Sequence, residues 1–149
     1  MDRFYKGFFS GVSGGVVANL WSFFVKDLLH YSARNFVDWT AVVLYGVLPT
    51  TWYEFLLAFF TNLLWTGFLG IIFAYLLLYL PPQGYLIKGA LYGIITSFLI
   101  YGAAILLRMP FFTMIPFRTA FGNMIGGLLW GVITARTLFW LDQKAKNNP

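Results

Sequence analysis

Four apolar runs constrain this chain more than any other feature, because each is close to the ~20 residues needed to cross a bilayer as an α-helix. They are Gly7 to Val25, Glu54 to Leu80, Tyr85 to Leu107 and Thr119 to Leu141. Lys6 and Lys26 bracket the first, and Pro81 and Pro82 end the second. Arg108 closes the third. Arg118 opens the fourth, which gives way to Asp142 and a polar tail over 142–149. The expectation is an all-α integral membrane protein, a single transmembrane domain over 1–149, built as a bundle of four spanning helices. The Gly-rich first run passes into Trp21-Ser22-Phe23-Phe24-Val25 without a small-residue cleavage pattern, so it reads as a retained helix rather than a signal peptide.

A fifth run, Phe36 to Leu48, is only about 13 residues long, which suits a short interfacial or re-entrant helix better than a span. Asn35 is placed to cap its start, with Asp38 in the first turn, and Pro49 ends it. Thr51-Trp52-Tyr53-Glu54 then reads as a capping box that opens the next helix.

Composition removes most alternatives. The chain has 149 residues, of which 60% are hydrophobic and 10% charged. Soluble domains carry ~25% charged residues, and a disordered chain needs low hydrophobicity. There is no cysteine and one histidine, His30. Thiolate chemistry is thereby absent, and a zinc site lacks ligands. No cofactor is expected. The net charge of +5 comes from basic residues at the ends of apolar runs, where a membrane protein places them, so no nucleic-acid partner is expected.

Those basic residues also bear on sidedness. With four spans, Arg3, Lys6, Lys88, Arg136, Lys144 and Lys146 share one side, and Lys26, Arg34, Arg108 and Arg118 the other. The positive-inside rule then puts both termini in the cytoplasm. If Phe36 to Leu48 also spanned, the residues would regroup without changing the imbalance. Charge therefore leaves four and five spans open, and segment length favours four.

Between helices in lipid, small residues drive packing by letting backbones approach. The first span carries Gly7, Gly11, Gly14 or Gly15, and Ala18 at helical spacing, and the third carries Gly89, Gly93 and Ser97. The fourth has Gly122 and Gly126 on one face, and Gly127, Gly131 and Ala135 on another. Bundle packing within the chain accounts for these stripes, and the second stripe of the fourth span leaves a homo-oligomer or a membrane-protein partner open. Lys6-Gly7-x-x-x-Gly11 and Lys88-Gly89-x-x-x-Gly93 share an opening, which fits a duplicated two-helix unit or chance spacing. Trp39, Trp52 and Trp140 fall where an aromatic belt would sit, while Trp65 and Trp130 lie mid-span as packing residues.

Counting depth along the helices gives a candidate site. Asn19, Asn62, Tyr101 and Asn123 each fall ~8–12 Å below the outer boundary of their own helix at 1.5 Å rise per residue. Around that rim stand His30, Asp38, Glu54, Arg108 and Arg118, and the arginines could pair with Asp38 or Glu54 or contact lipid phosphate. Two readings follow. In one, the four groups bond across the bundle and fix its register. In the other, they line an outward-facing pocket that binds or passes a small polar solute, ion or lipid headgroup, alone or within a larger assembly. Four spans are few for alternating access by a lone chain, so transport would imply an oligomer. The alternative function is a structural or accessory membrane protein with a dry core. No Ser, His and carboxylate set lies in the spans, so no enzyme is expected; a lipid-modifying activity is the remote alternative.

The second half of the chain resembles the YagU-like bacterial inner-membrane proteins of unknown function and the related small YqhR-like proteins of Gram-positive bacteria. The likeness rests on Ile72-Phe73-Ala74-Tyr75, Pro81, the Lys88-Gly89-Ala90 opening, Pro110 and Pro116, and Gly126-Gly127-Leu128-Leu129-Trp130 with Arg136 beyond. It implies a bacterial cytoplasmic (inner) membrane and no particular activity. The YagU-like pattern has a histidine where this chain has Gly127, so a role for that histidine does not carry over.

Overall fold

The computed structural model describes residues 2–81 and 83–147; Met1, Pro82, the side chains of Lys146 and Asn147, and the end of the polar tail, 148–149, lie outside the described residues. The described residues form five α-helices and no strand. These are α1 (Arg3–Phe23, continued by a π-helical turn, Phe24–Leu28), α2 (Phe36–Tyr45), α3 (Trp52–Leu76, continued by a 3-10 turn, Leu77–Tyr79), α4 (Tyr85–Leu106) and α5 (Phe117–Asn147). Four of them, all but α2, are long and apolar enough to cross a membrane.

Local chemistry sets the helix ends. At α2 the Asn35 side chain accepts from the Asp38 backbone at 2.7 Å, and the Asp38 carboxylate accepts from the Asn35 backbone at 3.0 Å. This is the reciprocal cap expected there. The helix stops at Gly46, whose φ of 79° disfavours other residues, so it ends short of the expected Leu48. At ~15 Å, ten residues are too short to cross a bilayer. At α3 the Thr51 side chain accepts from the Glu54 backbone at 3.4 Å, and the Glu54 carboxylate accepts from the Thr51 and Thr50 backbones at 3.1 and 2.7 Å. Two helices outrun their expected bounds. α1 begins at Arg3 rather than Gly7, and α5 continues through Lys144 to Asn147 where a polar tail was expected. Charged residues sit comfortably in helix beyond an apolar segment, so hydropathy underestimates helix length.

α3 packs on α1, α1 on α5, and α5 on α4. Close backbone approach holds these contacts. A Cβ on Gly7 would lie 2.8 Å from the Ile71 Cα, and one on Gly11 would lie 2.9 Å from the Gly70 Cα. Across the other contact, a Cβ on Gly89 would lie 2.5 Å from the Ala135 Cβ, and one on Gly131 would lie 3.1 Å from the Gly93 Cα. The Gly122 and Gly126 stripe is also filled from within, by Val25, Trp21 and Phe36. Both stripes of α5 are thus occupied inside the chain.

These contacts are one arrangement made twice. Gly7 and Gly11 of α1 meet Gly70 and Thr66 of α3, as Gly89 and Gly93 of α4 meet Gly131 and Gly127 of α5. Aligned on those contacts, the sequences agree further: Lys6 with Lys88, Phe60 with Phe121, Asn62 with Asn123, Gly70 with Gly131, Ile72 with Ile133, Ala74 with Ala135, Leu77 with Leu138. Asn19 then matches Tyr101. The Lys-Gly opening thus stands at matching places in two similarly packed helical hairpins, and α2 lies within the first of them.

Candidate functional site

The two hairpins divide the polar residues into two pairs. The Asn19 amide donates to the Asn62 side-chain oxygen at 2.7 Å and to the Gly15 carbonyl at 2.8 Å. The Asn62 amide donates to the Thr40 hydroxyl at 2.9 Å and to the Phe36 carbonyl at 3.5 Å. Thr40 in turn donates to the Phe36 carbonyl at 3.0 Å. In the second hairpin the Asn123 amide donates to the Tyr101 hydroxyl and, at 3.5 Å, to the Arg34 carbonyl. Asn19, Asn62 and Asn123 are all buried. The four predicted residues make two clusters, each across one hairpin. The Asn19 Oδ1 is the one amide atom of the first cluster left buried without a partner.

Thr40 was missed by the sequence reading. Its signal was available: apart from Asp38, it is the sole polar residue within Phe36–Tyr45, four residues after Phe36 and thus one turn along. It ties α2 to the Asn62 side of the layer.

The rim differs from expectation. Asp38 pairs with Lys26 at 2.6 Å, and its carboxylate is otherwise committed to the α2 cap. Glu54 is held by Thr50 and Thr51. Neither Arg108 nor Arg118 meets a carboxylate among the described residues. Arg118 lies over the Tyr31 ring at 5.6 Å, and Arg108 is exposed at the end of α4 with φ of 51°. The correction has a local cause, since a carboxylate already accepting backbone N–H bonds at a helix start is oriented along that helix. His30 is exposed and joins no cluster. The Tyr45 hydroxyl donates to the Glu54 carbonyl at 3.0 Å; burial raises its pKa, and the Glu54 carboxylate adds to the rise.

Between the two pairs lies a cavity of about 60 Å³. Asn62 and Tyr101 line it together with Phe36 and Trp39 of α2, Leu69 of α3 and Ile100 of α4, and its wall is mainly apolar. At the end of the bundle that carries both termini, Lys6 pairs with Asp142 at 2.8 Å, and the Arg3 guanidinium donates to the Ala74 carbonyl at 2.7 Å. Mid-helix, the Trp130 indole donates to the Gly11 carbonyl at 3.0 Å and is buried, a packing residue as expected, whereas Trp65 is partly exposed at the cavity edge.

Compared with protein-family models, curated proteins and solved structures, the chain gives no match.

Proposed function

We propose that this chain is a four-span membrane protein with a dry core that serves as a structural or accessory subunit rather than as a passage for polar solutes. The observation that carries the reading is the polar layer itself. Its amide donors are all taken up by the chain itself, at Gly15, Asn62, Thr40, Phe36, Tyr101 and Arg34. A solute pathway needs polar groups that are free to replace water around the solute. Here they act as interhelical ties, which in lipid contribute ~0.6 kcal/mol each and set register.

Membrane insertion is part of this proposal and rests on the surface. Leu20, Phe60, Leu64, Phe98 and Leu99 all project outward from the long helices with well over half of their surface exposed. Soluble monomers rarely expose contiguous apolar patches beyond a few hundred Å². Arg3, Lys6, Lys88, Arg136 and Lys144 at the terminal end favour cytoplasmic termini. The setting, a bacterial cytoplasmic membrane, comes from the family resemblance. Because both small-residue stripes of α5 are filled internally, partners of this subunit would meet its bulky outer faces.

Introduced cysteines test the dry core, since the chain has none of its own. Single cysteines at Asn19, Ser97 and Asn123, with Thr113 in the exposed α4–α5 turn as control, are treated with a membrane-impermeant thiol reagent in intact and in permeabilised cells. The expected result is reaction at Thr113 alone. Reaction at two or more of the other positions would sink the dry-core reading and restore a water-filled pocket.

A further inference from the structure

At the end of the bundle that carries both termini, α1 sets two cations against one acid. The Lys6 Nζ lies 2.8 Å from one Asp142 carboxylate oxygen, and an Arg3 Nη lies 4.0 Å from the other. Both cations therefore converge on one anion, and Asp142 offsets only one of the two charges. Asp2, the other acid at this end, does not line the site. Arg3 is anchored by its Nε, which donates to the Ala74 carbonyl at 2.7 Å, while its Nη groups meet no acceptor within hydrogen-bond distance among the described residues. Only 12% of the Lys6 side chain is exposed.

These three side chains line a cavity of about 420 Å³, within the ~300–1,000 Å³ range of small-molecule pockets. Leu138 and Ala135 of α5, almost wholly buried, give it an apolar floor with Leu77 packed on them. Tyr85, stacked on Phe139 at 4.3 Å, adds an aromatic wall. The rim is open, since Pro81, Gln143 and Ala145 are exposed. Lys6 and Asp142 stand where the first and last apolar runs give way to polar residues. On the membrane reading, on which this inference rests, that is the level of the lipid headgroups on the more basic face.

Charge and shape together identify the ligand. A guanidinium fork beside an ammonium suits the oxygens of a phosphate. The excess positive charge disfavours a zwitterionic headgroup, which brings a cation of its own. A basic wall over an apolar floor suits an amphiphile better than a free phosphate ester, and basic pockets between membrane helices are known sites for anionic headgroups.

We propose that the cavity framed by Arg3, Lys6 and Asp142 binds the phosphodiester headgroup of a net-anionic phospholipid. Arg3 and Lys6 donate to the phosphate oxygens, and Asp142 is the internal anion with which the phosphate competes. Arg136 and Lys144 share this end of the bundle but do not line the cavity; Lys144 lies over the Trp140 ring at 5.2 Å.

Native mass spectrometry of the intact protein, released from micelles that hold phosphatidylglycerol or phosphatidylcholine with the same acyl chains, tests this through the affinity for the first bound lipid. Phosphatidylglycerol is expected to bind several-fold tighter. Arg3→Gln and Lys6→Gln should each weaken it about tenfold, the loss of one charge-assisted hydrogen bond, with helix content unchanged. Lys144→Gln removes the same charge from the same end and should change the affinity by less than about twofold. Asp142→Asn removes the competing carboxylate and should tighten binding several-fold, whereas a purely structural tie would make Asp142→Asn and Lys6→Gln act in the same direction. Equal affinity for the two lipids, an equal loss in Lys144→Gln, or no gain in Asp142→Asn overturns the proposal. Glycerol phosphate at the lipid's concentration should not displace phosphatidylglycerol; displacement would assign the cavity to a soluble phosphate ester and overturn the lipid. Alkaline extraction of the protein from phosphatidylcholine vesicles separates the two readings: retained protein without the lipid preference overturns this site alone, and extracted protein overturns both.

Discussion

Asn62 and Asn123 occupy matching positions in two similarly packed helical hairpins: the first accepts from Asn19 across the α1–α3 contact, and the second donates to Tyr101 across the α4–α5 contact. A polar side chain there ties each hairpin to itself, and Asn123 reaches in addition the Arg34 carbonyl ahead of α2. The joint between hairpins is made differently, by Gly14 against Trp130, the Trp130–Gly11 bond and the Trp21 indole donating to the Gly122 carbonyl at 2.9 Å.

Replacing Asn62 with leucine keeps the volume and removes the ties to Asn19, Thr40 and the Phe36 carbonyl. At ~0.6 kcal/mol per interhelical bond the expected loss is about 1–2 kcal/mol. Asn19→Leu should cost less, and the double variant less than the sum of the two, because both remove the same bond. Unfolding in mixed micelles, followed by tryptophan fluorescence, measures this; strict additivity would show that the two side chains do not interact.

Gly93 and Gly102 lie on the same helix and should respond in opposite ways. A Cβ on Gly93 meets the Gly127 backbone, whereas one on Gly102 meets nothing within 4 Å. Gly93→Val is expected to separate α4 from α5 and lower the melting temperature severely. Gly102→Ala should be neutral or raise it, since alanine is favoured over glycine in a helix by up to ~1 kcal/mol. Equal effects at both positions would refute the close α4–α5 packing.

Two ion pairs offer a graded comparison. Lys6–Asp142 is partly exposed at the terminal end, so Asp142→Asn should cost at most about 1 kcal/mol, and less at high salt. Lys26–Asp38 involves a buried carboxylate that also caps α2. Asp38→Ala removes the pair and the cap contact and should cost about 2 kcal/mol or more. Thermal melts at low and high salt check both, and a smaller loss for Asp38→Ala than for Asp142→Asn would contradict the structure.

The second hairpin depends on its turn. Phe112 is almost wholly buried among Val42 and Ala104, which joins the α4–α5 turn to α2. Phe112→Ala is expected to destabilise by ~3–5 kcal/mol, while Phe111→Ala, at an exposed neighbour, should cost far less. Limited proteolysis within 108–116 would report the difference, and equal cleavage of the two variants would count against this anchor.

Much of the fold was legible in the sequence because it depends on neighbours along the chain. Helix caps at Asn35 and Thr51 act over three residues, and span length and hydropathy are properties of single segments. Position along a helix follows from counting, so Asn19, Asn62, Tyr101 and Asn123 could be singled out as polar groups within the apolar runs. Their grouping could not. It depends on the direction each side chain takes around its helix axis and on which helix stands beside it, and both are set by packing between segments far apart in sequence. The same reason separates the rim arginines from Asp38 and Glu54, since caps had already fixed those carboxylates. By itself the sequence determined four long apolar helices, the caps that open α2 and α3, and the small-residue stripes. Only the tertiary structure decided that the stripes pair into two like hairpins, and that Asp142 comes back to Lys6 across 136 residues, because the packing of α5 on α1 sets which helix ends meet.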